Sequence, residues 1–334
     1  MRVKPETYKS LIAVDKKGIH NIPNKVLRKV CTRKQQEKNI TNNSICIVCN
    51  FRFREQEVDW SSKIKAVCHP FRDDNIFPSS IKKYLFSESD FCDKLITPTK
   101  KKLWKHSDIK YDFVYFTLNS KEGTRSKGIY LLPLLDEVAD KLNLNGLVID
   151  YSVRETAKHK GTVYEEALKK VRNILPSLKR TTVLKRHLTS SEVCSVMHNS
   201  KFVFVPSDAD ASPRLLTESL VRNKPLVVNS NIYGGWKYID SNNGYFFTAP
   251  TIEDFLNDKI DNSHFMSLKI AIEKVLQIDC SKISDNYYQF YGFKNASKQL
   301  AKIINKITGK KYIAVVYKEW KYHLKKISKN ENWI

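Results

Sequence analysis

The chain has 334 residues, 41% of them hydrophobic, with 58 Lys and Arg against 35 Asp and Glu, a formal net charge of +23. This composition excludes an intrinsically disordered chain and leaves enough apolar surface for a sizeable core and two domains of ordinary size. No run approaches 18 apolar residues, so no membrane-spanning helix is expected, and the opening MRVKPETYKSLIAVDKKG has no apolar core of signal-peptide length. An intracellular, cytoplasmic protein is the expectation. The positive charge draws polyanions: nucleic acid, an anionic membrane surface or a phosphate-bearing substrate. The lysines are spread along the chain, however, and equally fit a solvated surface.

In chain order, short apolar runs alternate with helical patterns, which predicts α/β architecture with parallel sheets. SICIVCNF (44–51), IKAVCHPF (64–71) and FCDKLITPT (91–99) read as strands or strand ends. The lysine-rich TKKKLWKHSDIKY then reads as a linker. A second series follows: strand 111–118, helix 129–142, strand LNGLVIDY, helix TVYEEALKKVRNIL, strand TTVLKR, helix SSEVCSVMHNS, strand KFVFVPS, helix PRLLTESLVRN, strand KPLVVNS and the extended GYFFTAP. The expected division is an α/β domain over 1–105, a second over 106–300, and a C-terminal helical segment over 301–334 packing back on the first. Glycine is scarce early, with only Gly18 before residue 123, so no glycine-rich nucleotide loop is expected there.

Seven cysteines at irregular spacing predict reduced thiols. Cys46 and Cys49 form a C-x-x-C with Cys68 and His69 downstream. On a strand, positions i and i+3 face opposite ways, which argues against zinc. No metal is expected.

The stretch VPSDADASPRLLTE (205–218) ends an apolar strand and starts a helix. In a parallel α/β sheet, ligands bind beyond the carboxyl ends of the strands. Ser212 suits the N-cap and Pro213 the first helical position. Free amides and the positive dipole end make such a helix start a phosphate site, with Arg214 adding charge. Asp210 and Glu218, eight positions apart, can both turn toward one ligand, and carboxylates accept paired hydrogen bonds from vicinal hydroxyls. The same residues also fit an ordinary capped helix in which Asp208 or Asp210 serves the turn.

These residues resemble the C-terminal-domain signature of GT-B glycosyltransferases, especially the large retaining family 4 type. The chain reads Pro206-Ser207, Asp210-x7-Glu218, Asn223-Lys224-Pro225-Leu226-Val227-Val228, then Gly234-Gly235 and Asn243-Gly244-Tyr245. It departs from the pattern at Asp210, where glutamate is usual, and at Ala211 and Asn223, where glycine is common. Upstream, LNSKEGTRSKGIYLLPLL supplies the Lys127-Gly128 of the family's basic loop, while the usual arginine position falls on Glu122, so that role passes to Arg125 or Lys121. The likeness covers about residues 64–247.

The resemblance implies a GT-B-like fold of two Rossmann-like α/β domains facing a cleft, the N-terminal one shortened. It implies transfer of a sugar from a nucleotide-diphosphate sugar, UDP- or GDP-linked, with retention and without a metal or other cofactor. Lys127 and Arg125 would hold the diphosphate, helped by the helix start at Ala211, Ser212, Pro213 and Arg214. Glu218 would bind the ribose, Asp210 the donor sugar, and the segment around Arg186 would lie beside the base. His69, at the end of an N-domain strand, would face the cleft, and DFCDKLITPT would be the last strand of that domain. The catalytic candidates are thus Asp210, His69 and Lys127. The acceptor would be a glycan, glycoprotein or lipid-linked molecule, with contact to an anionic membrane as a further partner and nucleic acid not expected. Two other readings stand beside this one. Asp208-Ala209-Asp210 also spells the D-x-D metal motif of single-domain GT-A transferases. The charge and the segment YKEWKYHLKK also fit a basic nucleic-acid- or membrane-surface-binding protein without catalysis.

Overall fold

The computed structural model describes residues 11–15, 18–21, 44–48, 64–72, 77–94, 96–100, 102–103, 105, 109–117, 120–151, 162–208, 210 and 213–309. They form two sheets. The first has β1 (Leu11–Asp15), β2 (Gly18–Asn21), β3 (Ser44–Val48), β4 (Ile64–His69) and β5 (Lys82–Leu85) in the order β2-β1-β3-β4-β5. Its strands are parallel apart from the antiparallel β1–β2 pair.

The second sheet contains β6 (Tyr111–Thr117), β7 (Gly146–Asp150), β8 (Thr181–Lys185), β9 (Ser200–Val205), β10 (Leu226–Asn229) and β11 (Gly244–Phe247). Their order is β11-β10-β9-β6-β7-β8, and every pairing is parallel. Counted from β6, this is the doubly wound order 3-2-1-4-5-6, in which the chain reverses its direction of growth between β6 and β9.

Central parallel strands are covered on both faces, so they read as unbroken apolar runs. Their two faces nevertheless differ. Phe113 and Tyr115 of β6 pack with Phe202 and Phe204 of β9 under α2 (Leu132–Lys141), α3 (Val163–Ile174) and α7 (Asn262–Val275). The intervening Val114, Phe116, Val203 and Val205 face α4 (Ser190–His198), α5 (Arg214–Leu220) and α8 (Ile283–Phe290). Ring pairs Phe113–Phe202, Tyr115–Phe204 and Phe204–Phe247, with centroids 5.4 to 5.7 Å apart, run across the first of these faces.

Among the described residues, the chain crosses between the two units twice. Segment 96–103 runs along α4: the Thr99 amide donates to Ser195 Oγ at 2.9 Å, and Ser191 Oγ donates to the Thr97 carbonyl at 2.8 Å. After α8, the amphipathic α9 (Gly292–Thr308) returns to the first sheet, where Ala296, Leu300 and Ile304 bury against Cys68 and Phe86. Among the described residues, no helix is long and apolar enough to cross a membrane.

Three local expectations are corrected. Residues 92–94 and 96–99 form no strand; a 3-10 turn, Glu88–Phe91, precedes them, and the last strand of the first sheet is β5, whose sequence KKYL is too polar to signal itself. The basic stretch KEGTRSK is not a loop but a helix, α1 (Lys121–Lys127), started by Ser120. At the acidic turn, Pro213 rather than Ser212 takes the cap position, with φ −72° and ψ 91°, and Arg214 opens the helix.

Candidate active site

The crevice where sheet order reverses is bounded by the segments that leave β6 and β9. From β6 the chain enters α1, where Ser120 Oγ accepts from the Gly123 amide at 3.2 Å. The helix stops at Gly128, whose φ of +63° belongs to the left-handed region. A Cβ there would lie 2.9 Å from the Pro206 carbonyl oxygen. The end of α1 is therefore pressed onto the end of β9, and only glycine fits the contact. Tyr115 Oη donates to the Lys127 carbonyl at 2.5 Å and fixes the same corner from below.

These contacts carry Lys127 to the acidic turn. Its Nζ donates to Asp210 Oδ2 at 2.6 Å, with the two side chains 36% and 22% exposed. The turn is braced from the other side by the loop after β10. The Tyr233 amide donates to the Asp208 carbonyl at 2.8 Å and the Gly234 amide to the Asp210 carbonyl at 3.0 Å. Gly235, at φ +79°, leaves no room for a Cβ against Pro213 and Leu216. Asn223, standing where the family pattern has glycine, takes φ +58° at the end of α5, a conformation that asparagine tolerates.

Glu218 faces a cavity of about 280 Å³, lined among others by Cys92, Asp93, Arg214, Arg222 and Phe293. Burial pushes its carboxyl above the ordinary value, against the opposing pull of the Arg214 and Arg222 guanidinium groups. Arg222 is itself held, donating to the Glu218 carbonyl at 2.6 Å and to Cys194 Sγ at 3.1 Å. Glu218 also reaches electrostatically toward Tyr151, which follows β7; burial first, then Glu218 and Glu192, raise that phenol. The Tyr151 ring stacks on Phe116 at 6.2 Å and meets His187 edge-on at 5.7 Å. This aromatic group lies at the carboxyl edge of β6, β7 and β8, and its central member, Tyr151, carries no motif.

Other candidates fall as follows. Arg186 does not point freely into the crevice: it donates to the Leu103 carbonyl and pairs with Glu192 Oε1 at 3.1 Å, tying the linker to the capping box of α4. His69 is 4% exposed, its ring 5.0 Å from Phe77 and 5.8 Å from Phe71. Phe71 bridges to Gly234 and its ring lies 4.9 Å from Tyr233. His69 thus connects through Phe71 to the loop that braces Asp208 and Asp210. Arg125 lies on α1 two residues before Lys127, its side chain outside what the structure describes, as are Ala211 and Ser212.

A polar cluster that carries no sequence signal joins the two units. Asp90, fully buried, pairs with Lys237 Nζ at 2.7 Å and accepts from Tyr238 Oη at 2.5 Å. Ser87 Oγ lies 2.9 Å from the same hydroxyl. Burial lowers the Lys237 ammonium, opposed by Asp90, and pushes the neighbouring Cys68 thiol up to about 12. Beside this cluster, the Arg72 amide donates to the Tyr233 carbonyl at 3.2 Å and Arg72 Nη1 to the Ser230 carbonyl at 2.9 Å. Its guanidinium lies 5.5 Å from the Trp236 ring centroid. Among the described residues, Cys68, Cys92, Cys194 and Cys280 are free thiols, and no group of three or more His, Cys, Asp or Glu side chains is placed to hold a metal ion. Cys46 lies in β3, and Cys49 is outside the described residues.

By sequence the chain matches no family model and no curated protein. By structure it is similar to Anabaena Alr3699/HepE in complex with UDP, at a TM-score of 0.55 and 13% identity over 79% of this chain and 72% of that one. It is also similar to sucrose-phosphate synthase from Thermosynechococcus elongatus, at 0.51 and 10% over 80% of this chain and 68% of the other. Pneumococcal O-GlcNAc transferase GtfA, solved with UDP and GlcNAc, aligns at 0.49 and 11% over 84% of this chain, which spans 61% of its length. The fold is accordingly α/β and GT-B-like, two Rossmann-like units facing a cleft.

Proposed function

We propose that the chain is a glycosyltransferase that takes its sugar from a nucleotide-diphosphate donor bound at the β6–β9 crevice. The observation that carries this reading is the Lys127–Asp210 pair at 2.6 Å, a cation and a carboxylate brought together at the topological switch point of a 3-2-1-4-5-6 sheet. In sugar transfer the bond from the anomeric carbon to the β-phosphate oxygen breaks, and its electron pair leaves with the diphosphate. An acceptor hydroxyl oxygen forms the new bond at that carbon, and its proton passes to the departing phosphate oxygen. Charge on the departing phosphate is what most needs stabilising, and a preorganised cation is the device that does so.

In this reading Lys127 receives the diphosphate, joined by Arg125 from the same helix and by Arg214 across the turn. Asp210 meets the donor sugar and Glu218 the ribose hydroxyls. The Tyr151, Phe116 and His187 rings offer a flat apolar wall for the base, beside Arg186. His69 sets the position of the Phe71–Gly234 contact rather than touching the donor itself. Lys127 and Arg214 supply positive charge for the departing diphosphate, which supports metal-independent transfer. The sequence likeness to the family 4 pattern supports retention. HepE was solved with UDP, which makes uridine donors the first to try. The acceptor would be a glycan, a glycoprotein or a lipid-linked molecule, approached from the side of the first sheet, with residues 1–105 as the acceptor domain and 106–300 as the donor domain.

The test is thermal unfolding against UDP-, GDP-, ADP-, CDP- and dTDP-sugars, first in EDTA and then with manganese. A donor at 100 times its dissociation constant should add about 2.7 kcal/mol of stability. One selective shift in EDTA, lost in both Lys127→Met and Glu218→Ala, is the expected result. A shift that needs manganese would overturn metal independence and return attention to Asp208 and Asp210 as a metal motif. Unaltered melting with every donor would sink the proposal.

A further inference from the structure

The last described helix presents a surface to which no donor contact is assigned. Helix α9, GFKNASKQLAKIINKIT, contains no Asp or Glu. Its Lys294, Lys298, Lys302 and Lys306 recur every fourth residue, and all four are exposed. At 1.5 Å per residue they form a stripe about 18 Å long that winds slowly around the helix. The opposite face is apolar and committed, with Ala296, Leu300 and Ile304 closing over Cys68 and Phe86 of the first unit. The stripe is therefore held rigidly outward. Lys82 shares a face of β5 with Tyr84, which packs under α9, and it too is exposed.

Like charges four residues apart on a helix repel each other and cost stability. A face needed only for solvation would carry Glu or Gln between the lysines at no such cost, yet three successive Lys–Lys pairs are kept. At the start of the stripe Phe290 is 60% exposed, the most exposed of the chain's large hydrophobic side chains among the described residues. Beside it opens a cavity of about 400 Å³ lined by Tyr288, Tyr291, Phe293, Lys294, Lys298 and one acidic side chain, Asp93, among others.

We infer that this face is a docking surface for an anionic lipid bilayer, with the lysine stripe lying over the headgroups and Phe290 entering the interface. Lysine, a mobile point charge, suits the diffuse field of a charged leaflet, whereas α9 carries none of the arginine forks that grip individual phosphodiesters. A convex ridge with an aromatic side chain at one end fits a membrane surface better than the groove of a nucleic acid. The inference does not depend on the donor site and would stand if that reading failed.

The experiment is co-sedimentation of the full chain with sucrose-loaded vesicles of phosphatidylcholine alone and with about 30% phosphatidylserine. Each lysine near an anionic surface is worth roughly fivefold in partitioning. Lys298→Gln/Lys302→Gln should therefore weaken binding to the charged vesicles about 20-fold. Adding Lys294→Gln and Lys306→Gln should weaken it by at least about 100-fold. The control variant changes four exposed lysines elsewhere, Lys105, Lys141, Lys169 and Lys259, to Gln and so removes the same net charge. It should bind within about threefold of the wild type. Glutamine keeps helix propensity, and the double variant gives a reading should the quadruple one melt early. The inference is overturned if the stripe variants and the control lose binding equally, or if the wild type ignores charged vesicles. Binding to duplex DNA or RNA with no vesicle binding would also overturn it, and would assign the stripe to nucleic acid instead.

Discussion

Asp210→Asn should tighten the binding of a nucleoside diphosphate, while Lys127→Met should weaken it. In the ligand-free protein the Lys127 ammonium is already neutralised by Asp210 at 2.6 Å. A diphosphate arriving at Lys127 must displace that carboxylate and then sit near it. With a phosphate oxygen about 3 Å from the ammonium, its charge lies roughly 6 Å from the carboxylate. At an effective dielectric constant of about 40, one such repulsion is worth about 1.4 kcal/mol, a factor of about ten in affinity. The cost to folding is smaller. Both partners are partly exposed, and pairs of that kind contribute about 0 to 1 kcal/mol, so neither variant should move the melting temperature by more than about 3 °C. Titration calorimetry with UDP and GDP at about 0.1 M salt reads the affinities. Repetition at about 0.5 M should shrink the difference, because the interaction is screened. Sugar transfer by Asp210→Asn should fall even as binding tightens, since its contact with the donor sugar is lost. The reasoning is refuted if Asp210→Asn binds neither nucleotide more tightly and Lys127→Met binds neither more weakly.

Other consequences are equally direct. Burial raises the Glu218 carboxyl above its ordinary 4.5, so the native state holds that proton more tightly than the unfolded chain does. The ionised form then costs stability once pH climbs through the raised folded value. Glu218→Gln should raise the melting temperature on the order of 2 °C at pH 8, show no gain at pH 4, and still lose donor binding. Lys237→Met strands the buried Asp90 carboxylate and should cost about 3 kcal/mol or more, a fall of roughly 6 to 12 °C in melting temperature. The double change with Asp90→Asn should recover much of that loss; no recovery would show that the pair is not coupled. Gly128→Ala puts a Cβ 2.9 Å from the Pro206 oxygen at φ +63°, a strain of about 1 to 2 kcal/mol. Since that contact delivers Lys127 to Asp210, nucleotide affinity should fall along with stability; unchanged affinity would show that α1 can shift without moving the lysine.

The central strands of the second sheet were legible because a doubly covered parallel strand is apolar along most of its length. KFVFV and LVVN have no other stable place. The helix after β9 was legible too, one residue out of register, with Pro213 at the cap and Arg214 opening the helix. Elements that lack such a pattern were not. β5 is an edge strand whose Lys82 and Leu85 face solvent, so KKYL shows neither an apolar run nor clean alternation. α1 buries little through its own sequence, and its one local sign is the Ser120 cap. The segment 91–99 looks strand-like because Phe91, Cys92 and Ile96 are apolar. Those residues pack instead along α5 and α9, partly buried at the crossing between the units.

The amino-acid sequence by itself determines most of the strands and helices of the second unit and where the acidic turn lies. These follow from local alternation and caps within a few residues. Tertiary structure alone decides that Lys127 meets Asp210 across 83 residues, that Asp90 meets Lys237 across 147, and that Arg186 is bound to Glu192 and Leu103 rather than left facing the crevice. The reason lies in strand order. Neighbours in the sheet are set by which crossovers the chain makes, and β6 gains β9 as its neighbour only when every strand between them has been placed elsewhere.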